Sequence, residues 1–309
     1  MKKAIVTGAN GFIGRAVVSE LINQNVQVWA LTRHGDENNF LQSDKIKGIQ
    51  FDLSNITLIK KSIPFDDYDV FYHLAWDGTS GSARNDIDLQ LKNAQWTVDA
   101  LRVAKELGCK RFVGVGSIME DETIAAAFSQ GNKPGMSYIY GGGKLIAHVM
   151  CKSVAAEIDI DLIWCKITNA YGKGETSPRL INSTIRKIIA GETPRFTSGT
   201  QNYDFIYIDD VARAFHLIGE LGKPFHEYLI GSSKSGPLRE FLLLMKAAIA
   251  PNVDFIFGDV PFSGINLDIS KFDCSKTEID TGFKAEVSFS EGVKLTKDWI
   301  ESNNGGKTI

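Results

Sequence analysis

Tyr140 and Lys144 stand four residues apart in the segment YIYGGGKLIAHV, residues 138–149. In a helix, residues at positions i and i+4 share one face, so the phenol and the ammonium would lie side by side. A free phenol has a pKa of about 10, and a neighbouring ammonium favours its ionised form. The pair therefore has the residue types for proton transfer near neutral pH, with the tyrosine as donor and acceptor.

The three glycines before Lys144 invite comparison with a phosphate-binding loop. A Walker-type loop needs G-x-x-x-x-G-K-[ST], but Tyr138 stands at the place of its first glycine and Leu145 follows the lysine. That kind of loop is excluded. Glycine in a helix costs up to about 1 kcal/mol relative to alanine. The run Gly141–Gly143 therefore predicts a close approach of the backbone to a neighbouring strand or to a ligand.

A tyrosine and a lysine four residues apart are a common pattern by themselves. Ser117 strengthens the interpretation of this pair as catalytic. It ends the apolar segment FVGVGS, 23 residues before Tyr140. A strand ending there would bring the hydroxyl to the carboxyl edge of a parallel sheet, where ligands of open α/β folds bind. The alternative is that Ser117 caps the element that follows.

The segment TGANGFIG, residues 7–14, predicts a dinucleotide site. Gly8, Gly11 and Gly14 form G-x-x-G-x-x-G between an apolar strand and a helix pattern. Glycines there allow a tight turn and a close approach of backbone N–H groups to a pyrophosphate, which the helix dipole also favours. The cofactor site predicted on this turn also includes Asn10, Phe12 and Ile13.

The end of the second strand distinguishes NAD from NADP. Thr32 and Arg33 stand where an acidic residue would bind the ribose hydroxyls of NAD. An arginine there can pair with a 2′-phosphate, so NADP(H) is the preferred cofactor and NAD(H) the second choice; alternatively, Arg33 is a solvated loop residue. Asp52, after the third strand, would reach the adenine edge or cap a helix that begins near Ser54.

Short apolar runs alternate with helix patterns through the first half of the chain, as in βαβ units. We predict an α/β fold, a Rossmann-type doubly wound parallel sheet with a smaller C-terminal α/β substrate-binding lobe. The dinucleotide-binding domain would be 1–167 with a return segment near 203–222, and the lobe 168–202 and 223–309. Strands are predicted at 4–6, 26–31, 49–51, 70–74, 112–115 and 162–167, and helices at 12–24, 85–107 and 138–157. The second helix would turn one face to the core, with Ile87, Leu91, Ala94, Val98, Leu101 and Ala104.

Composition excludes several classes of protein. The chain has 309 residues and a net charge of −3, and its basic residues are spread out, so neither a nucleic acid nor a membrane partner is expected. No window has the roughly 20 apolar residues of a membrane-spanning helix, and the first apolar run is too short for a signal peptide. No C-x-x-C pair or metal-ligand spacing occurs, which favours a reducing cytoplasm, no metal, and buried thiols at Cys109, Cys151, Cys165 and Cys274.

Taken together, these segments resemble the extended short-chain dehydrogenases/reductases, the NAD(P)-dependent nucleotide-sugar epimerase, dehydratase and reductase family. The resemblance covers nearly the whole chain, in the family's order and spacing. It is carried by TGANGFIG, FDL at 51–53, HLA at 73–75, Ser117, YGGGK, ITNAYG at 167–172 and YDFIYIDDVARA at 203–214.

The resemblance implies a role for each matching residue. Tyr140 would be the catalytic acid and base, Lys144 would hold the ribose and tune the tyrosine, and Ser117 would polarise the substrate carbonyl. Leu53, Leu74 and Ala75 would border the cofactor, whereas Trp76 and Asn169 would lie on the substrate side.

Two departures concern the substrate diphosphate. The family usually has arginine at Lys166 and often at Tyr203. Diphosphate recognition would therefore need another cation, for which Arg179 and Lys187 are candidates, although either could be a solvated surface charge.

A third departure concerns dehydration. Dehydratases of the family have a Thr-Asp-Glu trio where this chain has Ser117-Ile118-Met119. The acidic residues at 120–122 follow too late and are typical of a helix start. Sugar dehydration is therefore disfavoured.

The resulting prediction is an NAD(P)-dependent oxidoreductase. It would reduce a keto group with NADPH, at C4 of a nucleotide-activated 6-deoxy sugar, and it resembles CDP-abequose/paratose synthases and dTDP-4-keto-6-deoxyhexose reductases. The alternative is an NAD-dependent nucleotide-sugar 4-epimerase; a reductase of non-sugar carbonyls and a non-catalytic NADP-sensing regulator follow. Helices 85–107 and 138–157 resemble the dimer interface of the family, so a homodimer is expected, unless their apolar faces are buried within one chain.

Overall fold

The computed structural model describes residues 1–33 and 43–304 of the chain. Its strands are β1 Lys3–Thr7, β2 Gln27–Thr32, β3 Ile46–Gln50, β4 Val70–His73, β5 Arg111–Ser117, β6 Asp161–Ile167, β7 Asn169–Tyr171, β8 Arg195–Phe196, β9 Asn202–Tyr203, β10 Phe205–Tyr207, β11 His226–Ile230, β12 Gly236–Pro237 and β13 Ile256–Phe257. Its helices are α1 Phe12–Asn23, α2 Ile87–Glu106, α3 Met119–Phe128, α4 Tyr138–Glu157, α5 Leu180–Ile189, α6 Ile208–Leu221, α7 Leu238–Ile249, α8 Ser275–Thr281 and α9 Phe289–Asn304. Short 3-10 helices lie at Leu53–Lys61, Ser82–Asn85 and Ile269–Phe272.

Seven strands of the described part form a parallel sheet in the order β11-β6-β5-β4-β1-β2-β3. The chain order reverses beside β1, which pairs with β2 on one side and with β4 on the other. In a doubly wound sheet, the crevice at this reversal, at the carboxyl ends of the strands, is where a dinucleotide binds. The predicted fold class is confirmed.

Both faces of the sheet are covered, because successive side chains of a strand point to opposite faces. Ile5 of β1 and Phe71 of β4 pack with residues of α2 and α4. Their neighbours Val6 and Tyr72 pack with residues of α1 and α6 on the other face. Such strands bury both faces, which explains their continuous apolar runs.

The apolar stripe predicted for α2 is only partly buried. Its later members Ala94, Val98, Leu101 and Ala104 lie in the core, but Ile87 and Leu91 are 57% and 48% exposed. A period of three to four residues identifies one face of a helix, but it does not show where along the helix the core ends. The prediction was wrong for the first part of the helix.

The second half of the chain returns to the sheet before it completes the smaller lobe. Helix α6 shares one core with α1, and β11 pairs with β6 from His226 opposite Ile163 to Ile230 opposite Ile167. The return therefore extends to Ile230, beyond the segment expected near 203–222. The division of the chain into domains stays a prediction.

Two further features bear on the sequence predictions. All four cysteines are free and buried. Across residues 1–33 and 43–304, no helix combines the length and apolar character needed to cross a bilayer.

Candidate active site

The carboxyl edge of β5 and the start of α4 bring the three predicted catalytic residues together. Ser117 is the last residue of β5, and Tyr140 and Lys144 lie in the first turns of α4. The Lys144 ammonium donates a hydrogen bond to the carbonyl of Val115 at 2.7 Å. The Ser117 hydroxyl lies close enough to Tyr140 to lower the pKa of the phenol, and it also accepts the N–H of Met119 at 3.2 Å. Ser117 thus faces the tyrosine and also caps the next element.

Tyr140 has a higher pKa than a free phenol. Burial raises the pKa, while the charges of Arg84 and Arg179 and the Ser117 hydrogen bond lower it, and the charge of Glu120 raises it further. These partners come from four different elements of the fold. Burial and contacts with distant segments therefore set the protonation of Tyr140 together.

Lys144 lies closer to the ring of Trp76 than to that of Tyr140. Its ammonium is 5.9 Å from the centroid of the Tyr140 ring and only 3.7 Å from that of Trp76. Burial lowers the pKa of Lys144 to about 7, because desolvation disfavours a charged group. That this lysine supplies the charge that lowers the pKa of Tyr140 stays a prediction.

The glycine run in α4 serves helix packing. A Cβ built on Gly141 would lie 2.1 Å from Thr123 Oγ1 and 2.5 Å from the carbonyl oxygen of Met119, and one on Gly143 would lie 3.0 Å from the carbonyl oxygen of Gln90. A Cβ on Gly142 would meet nothing within 4 Å. The backbone does come close to protein neighbours, and these are helices α3 and α2 rather than a strand.

This difference predicts opposite effects of two adjacent substitutions. Gly141→Ala should lower the free energy of unfolding by about 1–3 kcal/mol, because the methyl group collides with the backbone of α3. Gly142→Ala is the matched control and should raise it by up to about 1 kcal/mol, through helix propensity alone. Urea unfolding of both variants measures this, and a change of the same sign in both would contradict the packing explanation.

A cavity of about 560 Å³ lies at the mouth of α1, at the reversal of strand order. Gly8 has φ +67°, and a Cβ there would lie 2.8 Å from the backbone nitrogen of Ala75; one on Gly14 would lie 2.0 Å from the carbonyl oxygen of Gly8. The turn is thus a cradle that side chains would fill, and it fits a dinucleotide. The predicted cofactor residues that line the cavity are Gly8, Asn10, Gly11, Phe12, Ile13, Gly14, Arg33, Leu53, Leu74 and Ala75, and the predicted substrate residues Trp76 and Arg179 line it too.

Asp52 caps the 3-10 helix that begins at Leu53. One carboxylate oxygen accepts the backbone N–H and the hydroxyl of Ser54, at 2.9 and 2.6 Å. These hydrogen bonds lower the pKa of Asp52. The capping alternative is therefore observed, and a contact with adenine stays a prediction.

Arg33 is held by acidic residues. Its guanidinium lies 2.8 Å from the carboxylate of Asp77 and 3.9 Å from that of Asp52. Asp77 was missed by the sequence reasoning, although it follows HLA by only two residues. The positive charge that predicts NADP is thus already compensated.

Trp76 connects the cavity with the catalytic pair. Its indole nitrogen donates to Gln90 Oε1 at 2.7 Å, its ring meets Tyr140 edge-on with centroids 6.1 Å apart, and its face covers the Lys144 ammonium. A ligand group bound on the cavity side of the indole would therefore lie close to Tyr140 and Lys144.

The substrate side contains the other predicted cations. Arg179 lines the cavity and lies 3.0 Å from the carboxylate of Glu175, whereas Lys187 is exposed on α5. Lys166 is buried between Asp121 at 2.5 Å and Glu227 at 2.7 Å. Of Arg179, Lys187 and Lys166, Arg179 is placed best for contact with a diphosphate.

Asn169 begins β7 and contacts the segment that precedes β10. Its amide nitrogen donates to the backbone carbonyl of Asp204 at 3.1 Å, so its contact with a substrate stays a prediction.

The acidic cluster at 120–122 occupies the first turn of α3, as expected, but its members are not a solvated group. Glu120 is 2% exposed and accepts the N–H of Ser117 at 2.9 Å. Burial raises the pKa of Glu122 to about 7, while Arg84 opposes that rise. Arg84 is a second residue that sequence reasoning missed: its guanidinium carbon lies 4.5 Å from the centroid of the Tyr140 ring.

Three known proteins show what the chain is similar to. A Methanocaldococcus jannaschii protein provisionally named a UDP-glucose 4-epimerase is 27% identical over 316 residues, covering 97% of this chain and 99% of the relative. The dTDP-glucose 4,6-dehydratase of Escherichia coli is 24% identical, with 97% and 94% covered. A tyrosine-to-phenylalanine mutant of the Bacillus cereus UDP-glucuronic acid 4-epimerase, solved with UDP-4-deoxy-4-fluoro-glucuronic acid and NAD, superposes with a TM-score of 0.79 at 21% identity over 97% of this chain and 99% of that one.

The likeness to the Bacillus cereus structure concerns the fold alone. The two sequence relatives match nearly the whole of this chain. Because the model of the NAD dependent epimerase/dehydratase family matches residues 4–231, the chain belongs to that family, as its resemblance to the extended short-chain dehydrogenases/reductases predicts.

Proposed function

We propose that the protein is an NAD-dependent 4-epimerase of a nucleotide-activated sugar, with a uridine diphosphate sugar as the first substrate to test. The observation that carries the proposal is the position of Ser117, Tyr140 and Lys144 at one edge of the sheet, joined through Trp76 to the glycine-lined cavity. The full-length likeness to a relative named as a 4-epimerase supports it.

The side chains supply acid and base chemistry and positioning. Tyr140 takes the proton of the C4 hydroxyl and later returns it to the oxygen of the 4-keto sugar. The Ser117 hydroxyl donates a hydrogen bond to the same oxygen. Bound NAD supplies a hydride acceptor and donor, held by the Gly8–Gly14 turn and Lys144. Arg179 binds the diphosphate as a cation at the border of the cavity.

The ion pair of Arg33 favours NAD(H) over the NADP(H) predicted from the sequence. A 2′-phosphate would have to displace Asp77 from Arg33 and approach two carboxylates. Sequence reasoning ranked a 4-ketoreductase first because an arginine stands at this place. That reductase remains the second candidate, and Arg33 itself is the observation that favours it.

The choice of cofactor gives a prediction. Asp77→Asn should free Arg33 and improve the affinity for NADPH up to about fivefold, because an exposed ion pair of this kind is worth up to about 1 kcal/mol. Arg33→Met should weaken NADPH binding and leave NADH binding nearly unchanged. Fluorescence titration measures both, with Asp88→Asn on the exposed first turn of α2 as control. Tighter NADPH binding by the wild-type protein than by D77N would contradict this explanation.

The two candidate functions differ in what the purified protein does without added cofactor. A 4-epimerase retains NAD and interconverts the C4 epimers of a UDP-sugar by itself. A ketoreductase needs added NADPH and consumes one equivalent for each 4-keto-6-deoxy sugar reduced. The proton NMR spectrum of the sugar and the absorbance of the reduced nicotinamide separate the two outcomes; activity in the second assay alone would replace the epimerase proposal.

A second copy of the chain would cover the exposed apolar side chains of α2 and α4. Ile87, Leu91, Val149 and Met150 are 57%, 48%, 59% and 50% exposed. We therefore keep the homodimer as a proposal that sedimentation can measure. A cytoplasmic location stays a prediction that rests on the sequence.

A further inference from the structure

Arg84 lies directly over the predicted catalytic phenol. It belongs to the 3-10 turn Ser82–Asn85, and its guanidinium carbon is 4.5 Å from the centroid of the Tyr140 ring. A guanidinium over an aromatic face is attracted by the negative charge density of the ring, and the same charge attracts a phenolate more strongly than a neutral phenol.

Within residues 1–33 and 43–304, no carboxylate forms a close ion pair with Arg84, although the charge of Glu122 acts on it. The Nε of Arg84 is buried and has no hydrogen-bond partner in the described part of the chain. A buried donor without a partner costs free energy. The contact of the guanidinium with the tyrosine ring can offset part of this cost.

The loop that carries Arg84 is fixed from α2. Gln90 donates to the carbonyls of Gly78 and Ala83, each at 3.1 Å, while its own carbonyl accepts the indole N–H of Trp76. Asn93 forms a hydrogen-bonded pair with the backbone of Asp77, at 2.8 and 2.9 Å. The guanidinium is therefore held in place before any substrate binds, which is the condition for electrostatic preorganisation.

The charges around Tyr140 come from several elements. Arg84 makes the largest contribution that lowers its pKa, followed by Arg179 at the start of α5, while Glu120 of α3 opposes them. Glu122 of α3 faces Arg84. The Lys144 ammonium, from the next turn of α4, loses its proton near neutral pH, whereas an arginine keeps its charge.

We propose that Arg84 is a positioning residue of the active site, whose guanidinium stabilises the phenolate form of Tyr140. The sequence resemblance assigns the same role to Lys144, and the guanidinium of Arg84 would act beside it. This inference rests on the proposed function for its catalytic meaning, but the contact itself can be tested without turnover.

The direct test is the titration of Tyr140 in protein labelled with ¹³C at the tyrosine Cζ. The resonance of Tyr140 is assigned by its loss in Tyr140→Phe. In Arg84→Met, we expect it to titrate at higher pH than in the wild type, and in Arg84→Lys at an intermediate pH, because the charge is kept without the planar group. The control Arg102→Met removes an arginine that is half exposed on α2 and paired with Asp99, and should leave the titration unchanged. Equal titration of wild type, R84M and R102M would overturn the proposal.

Turnover gives the second readout. Where the reaction needs the phenolate, the acidic limb of the kcat profile should move to higher pH in R84M, with kcat at pH 7 lowered about tenfold, and R84K should recover part of the loss. If no substrate of the proposed reaction is turned over by the wild type, the NMR titration still decides the role of Arg84. If R84M binds NAD normally and shows an unshifted profile, the residue has only a structural role and the proposal fails.

Discussion

Tyr140→Phe should lower kcat by about 10²- to 10⁴-fold, the range found when a positioned acid or base is removed. The ring, its contact with Trp76 and the position of Arg84 can all persist without the hydroxyl. We therefore expect the affinity for NAD to change little, and the loss to appear in kcat. Stopped-flow measurement of NAD reduction under single turnover, beside the equilibrium Kd, separates the two quantities.

Tyr138→Phe is the matched control for this experiment. Tyr138 lies two residues earlier on α4, and its phenol oxygen accepts the backbone N–H of Ile265 at 2.7 Å. Its loss should cost about 1 kcal/mol of stability and little activity. A Y140F protein as active as Y138F would remove Tyr140 from the mechanism.

Lys144→Met should abolish most activity and, unusually, alter how stability depends on pH. We expect kcat/KM to fall about 10²-fold and the affinity for NAD to decrease, if this lysine holds the ribose. The ammonium is also a buried charge whose pKa is lowered from its ordinary value of 10.5 to about 7. Methionine fills a similar volume without that charge.

The sign of the stability effect follows from proton binding. Between pH 7 and pH 10.5 the unfolded chain holds a proton on Lys144 that the folded chain has lost, so the stability of the wild type rises with pH in this window. Below pH 7 both states are protonated and the full cost of burying the ammonium is present.

The advantage of K144M in free energy of unfolding should therefore be largest below about pH 7 and shrink as the pH approaches about 10.5. Urea unfolding from pH 6 to pH 10 measures this difference. Lys152→Met, at an exposed position of the same helix, is the control. A difference between K144M and wild type that grows with pH would contradict the assigned protonation of Lys144.

The parts of the site that the sequence predicted are those set by local pattern. The glycine turn after β1, the helix that carries Tyr140 and Lys144, and the strand that ends at Ser117 all follow from spacing within one segment. Strand and helix limits fell within a few residues of those expected, because apolar runs and their interruptions are local as well.

The parts that it missed depend on which loops meet in space. Arg84 and Asp77 lie on the same loop after β4, but their partners Tyr140 and Arg33 come from distant parts of the chain. Nothing in the spacing of GTSGSARND indicates that its arginine will cover a tyrosine more than 50 residues later. The preference for NADP that Arg33 predicts has the same origin, because the sequence does not show that Asp77 pairs with this arginine.

The glycine run is an intermediate case. Its cost correctly predicted a close approach of the backbone. The identity of the neighbour could not be predicted, because the spacing within α4 does not show that α3 packs against Gly141. The packing of α4 against α3 and α2 therefore determines which neighbours the glycines contact.

The central claim is that Tyr140 and a nicotinamide cofactor together oxidise and reduce C4 of a nucleotide-activated sugar. The most direct test is to incubate the purified protein, without added cofactor, with a UDP-sugar carrying deuterium at C4, and to follow the product by NMR. We expect inversion at C4 with the deuterium retained, because the hydride leaves and returns without exchange with water. Inversion with loss of the label to solvent, or no reaction at C4 with any nucleotide sugar and either cofactor, would contradict it.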